Sequence, residues 1–565
     1  MSGAPRFPVV LFWHMHQPQY RDPLSGEYVL PWTYLHAIKD YVDMAAHLEA
    51  NPRARAVVNF APILIEQLEE LALRVTAHLS RGEALPDPVL ALLSEAPLPI
   101  EAGARLSLVQ ACLRAERQHL ISRYPVYAQL ATLAGTLGTR EAVAYASDHY
   151  LRDLAVWYHV AWLGETVKRG DLRVAALIDR ERDFTATHRR ILLELIGELL
   201  AGLLPRYRAL AERGQVELAV SPYAHPILPL LIDFNSARES IPAAPLPHAA
   251  AYPGGEERAA WHMREALRVF TRVFGRAPVG CWPSEGAISA RALEIIEAHG
   301  LRWAASSGSV LRGCLSATSS ATSELAPELG AWQTPDHHLK LFFRHDELSD
   351  LIGFAYSKWH GDDAVRHFVA ELERVALQAE GRPGAMALIA LDGENAWEHY
   401  PFNGYYFLKG LYAALADHPL LELTTLGDLL ERPLPCTVLP KVVAGSWVHG
   451  TLATWIGDRD KNAGWDLLVQ AKIATDEVLA SGRLPAHKRE WVERQLALCE
   501  SSDWFWWFGD YNPYEAVRDF DLLFRHQLAS LYRLLGREVP DALAHTISIG
   551  RGAPEGGGVM RRAQE

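Results

Sequence analysis

Two acidic residues follow a long apolar run in the second half of the sequence. Residues 386–391 read MALIAL, and Asp392 and Glu394 come directly after them. Consecutive apolar residues are typical of a strand buried on both faces, as in a parallel sheet covered by helices. Carboxylates at the end of such a strand are costly to bury unless they have partners or a function. The alternative is a helix N-cap, a position that aspartate favours.

Polar and aromatic residues follow several other apolar runs in the same way. They are His14, His16 and Gln17 after the first run, Ser221, Tyr223 and His225 after the third, Trp282 and Glu285 after the fourth, and Arg344, His345 and Asp346 after the sixth. A single histidine of this kind is more often structural. The C-terminal ends of parallel strands face a common mouth, however, so the clusters together predict one site.

Glu285 and Asp392 are the pair suited to two-carboxylate chemistry. Cleavage of a glycosidic bond needs one carboxylic acid to protonate the leaving oxygen and one carboxylate near the anomeric carbon. The chain contains 17 tryptophans and 20 tyrosines, whose rings would exclude water and contact sugar C–H groups. These residue types favour a carbohydrate site.

Seven apolar runs supply the strands that would position these residues. They cover 8–18, 55–62, 214–226, 277–289, 301–311, 339–350 and 386–395, and helical patterns separate most of them. This alternation predicts an α/β barrel or a doubly wound sheet.

The remaining sequence is mostly helical. Residues 63–213 predict a helical insertion within a catalytic unit spanning 1–430. Three prolines in 431–441 indicate a boundary. A C-terminal helical domain is expected over 441–545, and the glycine-rich tail, 546–565, is expected to be disordered.

Composition limits the function classes. The 565 residues carry a net charge of −13, which disfavours nucleic acid and anionic membranes as partners. The five cysteines are far apart and show no zinc spacing, so a reducing compartment is expected. The N-terminal apolar run is shorter than that of a signal peptide, and no stretch approaches a membrane span. We therefore expect a cytoplasmic protein.

Five segments resemble, in order, the sequence regions of glycoside hydrolase family 57, in its amylopullulanase and α-amylase-like branch. They are HMHQP (14–18), GQVELAVSPYAHPILPLL (214–231), GCWPSEGAIS (280–289), LIALDGENAWEHYP (388–401) and SSDWFWWFGDYN (501–512). The resemblance implies a (β/α)7 barrel followed by a helical domain.

The resemblance also implies a retaining mechanism on α-glucosidic bonds, with Glu285 as nucleophile and Asp392 as general acid/base. Retention predicts carboxyl groups roughly 5–5.5 Å apart. Repulsion between two such carboxylates would raise one pKa and keep Asp392 protonated for the first step.

A wider set of residues is predicted to bind the sugar. By the resemblance, His14, Glu217 and His225 hold hydroxyls at the cleavage point. Candidate platforms are Trp282, Trp397, Trp504, Trp506 and Trp507, and the polar candidates are His16, Gln17, Tyr223, Arg344, Asp346 and Glu394. Three alternatives remain open: Glu217 as a salt-bridged strand residue, Glu394 as the acid in place of Asp392, and the WFWWF run (504–508) as an interface plug.

The expected partner is an α-glucan such as starch, glycogen or maltooligosaccharides, with pullulan as a further candidate, and no cofactor or metal is predicted. A 4-α-glucanotransferase with the same catalytic pair is the first alternative. A metal-dependent hydrolase or deacetylase using His14, His16, His225 and Asp392 is the second, because imidazoles and a carboxylate suit zinc. A glucan-binding protein without catalysis is the third.

Overall fold

The computed structural model describes residues 6–318, 326–335, 337–482 and 484–552. Its strands are β1 (Phe7–Met15), β2 (Ala56–Phe60), β3 (Val216–Val220), β4 (Gly280–Cys281), β5 (Trp303–Ser307), β6 (Ala331–Gln333), β7 (Lys340–Arg344), β8 (Ala387–Asp392), β9 (Leu421–Leu423) and β10 (Cys436–Val438). Seven of them lie within the seven apolar runs.

These seven strands form a closed parallel barrel. The order is β1-β2-β3-β4-β5-β7-β8, and β8 pairs with β1 to complete the circle. The predicted (β/α)7 barrel is therefore confirmed. The three short strands were not predicted: β6 runs antiparallel to β7, β10 pairs with β6, and β9 pairs with β1. The proline-rich segment 431–441 thus supplies an edge strand, where proline is tolerated.

Alternate strand residues fill the barrel interior with apolar side chains. The interior cluster includes Val10, Phe12, Val57, Ala219, Trp282, Trp303, Ala305, Phe342, Leu388 and Ala390. Leu426 and Leu429 of the helix Leu426–Leu430 join the same cluster. Since this helix lies at the N-terminal end of the strands, it closes the base of the barrel and leaves the C-terminal end for a site.

Helices surround the barrel. Those between β1 and β2 are Trp32–His36, the π-helix Ala37–Tyr41 and Val42–Ala50; those between β3 and β8 are Leu228–Ile232, Ser236–Ser240, Gly255–Phe274, Ala290–Ala298, Gly308–Ala317, Asp346–Asp350, the π-helix Leu351–Ala355 and Gly361–Gln378. Tyr405–Ala416 follows β8. Short 3₁₀ turns occupy Ser284–Gly286, Tyr356–Lys358, Trp397–His399, Pro401–Gly404 and Asp541–Ala544.

The stretch between β2 and β3, all of which is described, contains helices and no strand. They are Pro62–Arg81, Pro88–Ala91, Ala102–Ala111, the π-helix Arg117–Ile121, Pro125–Thr136, Arg140–Val143, Asp148–Trp162, Glu165–Gly170, Leu172–Arg180 and Ala186–Glu212. We refer to residues 63–213 as the insertion.

A helical region follows the barrel, as the fold prediction expected. Its helices are Arg459–Ala480, Ala486–Cys499, Ser502–Trp507 and Tyr514–Leu534. We call it the C-terminal region; its division from the barrel at 430–441 as a separate domain stays a prediction.

The expectation of a disordered tail needs correction at its start. Ile547 and Ser548 donate backbone hydrogen bonds to Asp521, at 2.7 and 3.1 Å, and Ser548 is buried. Residues 546–552 are therefore held against the C-terminal region. The rest of the predicted tail, 553–565, lies outside the described residues. A search of the described helices finds none with the length and apolarity to cross a membrane.

Candidate active site

A cavity of about 400 Å³ opens at the C-terminal end of the barrel, where the sequence predicted a site. Glu285, Asp392 and Glu394 line it together with residues from the insertion and the C-terminal region. The residues that line it and were predicted to bind substrate are His14, His16, Gln17, Arg344, Trp506 and Trp507. The fold thus gathers residues that are remote in the sequence around one space.

Glu285 is held in an unusual backbone conformation beside the cavity. Its φ of 57° is rare for a residue other than glycine and costs on the order of 1–3 kcal/mol. Trp447 stabilises it twice: its backbone N–H donates to the carbonyl of Glu285 at 3.0 Å, and its indole Nε1 donates to Oε2 at 2.9 Å. The side chain remains 15% exposed. Strain of this kind, supported from outside, fixes the carboxyl group in place.

Asp392 ends β8 level with His14 on the neighbouring strand β1. Its Oδ2 accepts a hydrogen bond from Nδ2 of Asn395 at 2.8 Å. The next helical turn, Trp397–His399, begins after Ala396, so Asp392 does not cap it. The N-cap alternative is therefore wrong. The acids end this strand at the wall of the cavity.

Both carboxyl groups hold protons more tightly than usual. Burial raises the pKa of Glu285 to about 8, and the charges of Asp392 and Asp503 add to the rise. Burial also raises the pKa of Asp392 to about 6, against the lowering effects of Asn395, His16 and Arg344. The charge of Asp392 thus contributes to the raised pKa of Glu285. The predicted distance of roughly 5–5.5 Å between the two carboxyl groups stays a prediction.

The order of these pKa values differs from the predicted one. Asp392 was expected to keep the proton, but the pKa of Glu285, at about 8, lies above that of Asp392, at about 6, which favours the proton on Glu285. Glu285 is the more strongly affected group because burial, Asp392 and Asp503 all raise its pKa. The predicted roles therefore require the proton to lie on Asp392 when the glycosidic bond is cleaved.

Three histidines form a stack beside the carboxyls. The ring of His225 lies 3.8 Å from that of His16 and 5.2 Å from that of His14, with interplanar angles of 19°. His225 Nδ1 lies 3.9 Å from Oε1 of Glu285 and is hydrogen-bonded to Ser502 at 3.0 Å. Burial lowers the pKa of His14 to about 3 and that of His225 well below its ordinary value. The stack is therefore neutral at His14 and His225.

One group in the stack has the composition of a metal site. Ligand atoms of His16, His225 and Asp503 lie within 4.8 Å of one another. A bound metal lies in the plane of each imidazole that ligates it, along the nitrogen lone pair. Stacked rings direct their lone pairs side by side, so this arrangement does not fit a zinc ion. His14 and Asp392, the other two residues of the metal hypothesis, are not part of the group.

Several predicted residues support the cavity from behind. Trp282 is fully buried against Phe12 in the barrel interior, and Trp397 packs on Trp13 with its indole bonded to the Gly393 carbonyl. Asp346 accepts from Arg344 at 3.0 Å and so orients a cavity residue. None of these three lines the cavity, so the predicted sugar contacts of Trp282, Trp397 and Asp346 are corrected to supporting roles. His225 likewise acts beneath the surface, through its contact with Glu285.

Three predictions fail because the side chains lie elsewhere. Glu217 is at the barrel base, where it accepts from Trp303 Nε1 at 2.8 Å and from the Gly427 backbone at 2.6 Å. Tyr223 donates to Glu66 at 2.6 Å on the outside of the barrel. Trp504 is fully buried and packs on Phe520 and Phe524. The salt-bridge alternative for Glu217 is also wrong, since its partners are neutral N–H donors.

The WFWWF run is divided between the core of the C-terminal region and the cavity, so it is not an interface plug, and the sugar contacts of Trp506 and Trp507 stay a prediction. Trp504, Phe505 and Phe508 are fully buried, and Phe505 stacks on Trp465 at 4.3 Å. Trp506 and Trp507 line the cavity. Trp504 to Trp507 end a short helix, Ser502–Trp507, which turns successive rings to different sides. One side fills the core of the C-terminal region, and the other contributes to the site.

Sequence reasoning missed several residues at the site. Asp503 lies in the segment 501–512 quoted for the resemblance, yet nothing in residue type pointed to its contact with His16. Trp447, in the GSW sequence at 445–447 shortly after the proline-rich segment, was not predicted to contact Glu285. Trp32 and Trp162 also line the cavity.

The fold is a closed barrel, and the carboxyl groups of Glu285 and Asp392, which lie at or just beyond the ends of different strands, line the cavity at its C-terminal end. The sequence model of glycosyl hydrolase family 57 matches residues 10–440, and the chain belongs to that family.

Solved structures share the fold at low identity. The family 57 branching enzyme of Pyrococcus horikoshii matches with a TM-score of 0.59 and 14% identity, over 94% of this chain and 89% of that one. The branching enzyme of Thermococcus kodakaraensis gives 0.58 and 15%, over 96% and 94%. An α-amylase of Thermotoga maritima gives 0.57 and 14%, over 96% of both chains.

Proposed function

We propose that this protein cleaves α-1,4-glucosidic bonds of glucans with retention of configuration. The supporting observation is the placement of Glu285 and Asp392 in one cavity, each with a raised pKa. The family adds that the chemistry is that of a glycosyl hydrolase. The amylase and amylopullulanase activities implied by the resemblance belong to this proposal, as does cleavage of α-1,6 bonds.

In the proposed first step, Asp392 gives its proton to the glycosidic oxygen while the Glu285 carboxylate attacks the anomeric carbon. The bond to the leaving glucan breaks, and a glucosyl ester forms on Glu285. The positive charge that develops on the sugar in the transition state favours the ionised form of Glu285, so the reaction proceeds from the form in which the shared proton lies on Asp392. The indole N–H of Trp447 stabilises the same carboxylate.

In the second step, the Asp392 carboxylate takes a proton from water, and the water oxygen displaces Glu285 from the sugar. The product keeps the α configuration, and Asp392 regains its proton. His14, level with Asp392, and Arg344 are placed at the cavity wall to hold sugar hydroxyls.

Transfer to a sugar is a second candidate, favoured by the composition of the cavity wall. Two aromatic pairs line the space: Trp32 packs on Trp162, with ring centroids 5.7 Å apart, and Trp507 stacks on Phe520 at 5.0 Å. Such walls exclude water and offer stacking surfaces to an acceptor glucan. The acceptor hydroxyl would then replace water in the second step.

Product analysis on maltoheptaose, amylose and pullulan tests both candidates. Proton NMR at early times should show the α anomer of shorter sugars, with Glu285→Gln as the inactive control. Longer chains would indicate transfer, and new α-1,6 signals would indicate branching. An excess of a chelator should leave the rates unchanged. Intact substrates, or a β anomer as first product, would refute the proposal.

A further inference from the structure

Glu394 lies two residues after Asp392 at the cavity wall, and its two oxygens have very different surroundings. The side chain is buried, with the residue only 2% exposed. Its Oε1 accepts three hydrogen bonds: from the backbone N–H of His16 at 3.2 Å, from Nε2 of Gln17 at 3.1 Å and from the hydroxyl of Tyr41 at 3.0 Å. All three donors therefore bond to Oε1 of Glu394.

The second oxygen, Oε2, is buried as well, and no described residue offers it a hydrogen bond. An ionised carboxylate spreads its charge over both oxygens, so a buried oxygen without donors carries the full cost of desolvation. In a protonated carboxylic acid the two oxygens differ: the carbonyl oxygen accepts hydrogen bonds, and the hydroxyl oxygen carries the proton. The contacts match the acid, with Oε1 as the carbonyl oxygen and Oε2 as the hydroxyl.

We infer that Glu394 is a neutral carboxylic acid at the pH at which the enzyme works, and that it positions the residues around Asp392 without adding a negative charge. The positioning part rests on the proposed function, since it concerns the acid/base role of Asp392. The protonation part concerns the protein alone.

The contacts of Glu394 show what it positions. His16 and Gln17 follow β1, Tyr41 ends the π-helix Ala37–Tyr41, and Glu394 itself follows β8. Its Oε1 thus ties three segments together at the cavity wall. Gln17 in turn accepts from Tyr20 at 3.0 Å, and His16 contacts Asp503 at 2.9 Å. The pairing of β1 with β8 already joins His14 to Asp392. Glu394 adds a side-chain link for His16 and Gln17, which lie beyond the end of β1, and this link would be lost without the acceptor.

The electrostatic surroundings support the neutral form. Burial and the charge of Asp392 raise the pKa of Glu394 well above its ordinary value, against the three donors. The other titratable groups that interact with it are Tyr20, Tyr41 and Tyr207, whereas His16 interacts through its backbone N–H.

A neutral Glu394 also suits the proposed cycle. Asp392 must become a carboxylate after the first step, and a second negative charge nearby would oppose its ionisation. A carboxylate at position 394 would therefore push the pKa of Asp392 above about 6.

A pair of substitutions separates a neutral acid from a required carboxylate. Glu394→Gln keeps an acceptor for the three donors and replaces the O–H by an N–H donor, whereas Glu394→Leu removes both. We expect Glu394→Gln to keep kcat on maltoheptaose within about threefold and to leave both limbs of the pH profile in place, since no charge is lost. Glu394→Leu should lower kcat at least about tenfold, because three donors lose their acceptor.

Infrared difference spectra provide a readout that does not depend on activity or on the Leu variant folding. The wild type minus Glu394→Gln spectrum should show the carbonyl band of a protonated carboxyl group at pH 7, and the band should persist at pH 9. A carboxylate band in its place would overturn the inference, as would a loss of kcat above about a hundredfold in Glu394→Gln. If the wild type cleaves no glucan while the band is present, the proposed function fails and the assignment of the proton stands.

Discussion

Two glutamates of the same barrel, Glu285 at the mouth and Glu217 at the base, have the same side chain and different uses. Burial raises the pKa of both. At the base, each oxygen of Glu217 accepts a protein N–H, one from Trp303 and one from Gly427. At the mouth, Glu285 has one such partner, Trp447, and its other oxygen lies 3.9 Å from His225, beyond hydrogen-bond distance.

On the proposed function, position along the barrel axis, rather than burial or a raised pKa, separates the structural carboxyl group from the reactive one. Both oxygens of Glu217 are occupied by N–H donors at the base, and this side chain does not line the cavity. The carboxyl group of Glu285 reaches the cavity and is partly exposed, as attack on a sugar would require. Substitutions at the two positions should therefore have opposite effects on activity and stability.

The largest expected effect is that of Glu285→Gln. An amide cannot form the glucosyl ester, so kcat on maltoheptaose should fall by at least about a thousandfold. Product release measured by chromatography checks this, with circular dichroism to confirm folding. Retention of more than a tenth of the wild-type rate would remove Glu285 from the proposed mechanism.

Asp392→Asn should match this loss on maltoheptaose and differ from it on an activated substrate. An aryl maltoside with a good leaving group needs little protonation, so its first step should recover much of the rate in Asp392→Asn. Glu285→Gln lacks the nucleophile and should show no recovery. The burst of released phenol, followed spectrophotometrically, distinguishes the two; equal rates for both variants would mean that the roles are assigned wrongly.

The pH dependence should follow the shared proton. The productive enzyme carries one proton on the pair, so kcat/KM should be highest between about 6 and about 8, the pKa values of Asp392 and Glu285. Below this window both groups are protonated and the nucleophile is lost; above it both are ionised and the acid is lost. Each limb should approach a tenfold change per pH unit. A profile that stays flat well above pH 8 would contradict the pairing.

Trp447→Phe should lower kcat/KM less than the substitutions of the carboxyl groups do. An aromatic ring is kept but the N–H donor to Glu285 is lost, so kcat/KM should fall about tenfold. Since this donor lowers the pKa of Glu285, its loss should move the alkaline limb of the kcat/KM profile to higher pH. Trp332→Phe is the matched control, because this buried indole donates to the Pro327 carbonyl and does not line the cavity. An unchanged limb in Trp447→Phe would show that its indole does not act on Glu285.

The residue pattern was sufficient for the parallel strands, whereas the choice of a barrel over a doubly wound sheet came from the family resemblance. Seven apolar runs separated by helical patterns predict buried parallel strands, and the polar residues after such strands meet at one edge. The position of each side chain along the barrel axis was harder to predict. Glu217 precedes Ser221 by four residues, or roughly 13 Å along a strand, which is enough to move it from mouth to base.

The tryptophans show that residue type alone does not predict which side chains line the cavity. Trp282, Trp397 and Trp504 are core residues, whereas Trp506 and Trp507 line the cavity. Nothing in the identity of a tryptophan distinguishes these positions. Trp447 was missed for a related reason: its contact with Glu285 exists only because a segment that follows the barrel returns to its mouth.

The smallest effect on activity is expected for Glu217→Gln, the same chemical change as at position 285. Maltoheptaose cleavage should stay within about twofold, because the side chain lies at the other end of the barrel, roughly 13 Å along the strand from Ser221. The free energy of unfolding should fall by about 1–2 kcal/mol, since one of the two N–H donors would face an amide N–H.

The stability difference between the wild type and Glu217→Gln should also change with pH in a defined direction. The folded state raises the pKa of Glu217, so the wild-type carboxyl stabilises the protein most at low pH and less as pH rises through that pKa. Glutamine does not titrate, and the stability gap between the two proteins should therefore narrow from pH 5 to pH 9. Urea unfolding followed by tryptophan fluorescence measures the gap. A thousandfold loss of activity with unchanged stability would show that the base carboxyl takes part in the reaction, and the distinction between mouth and base would not hold.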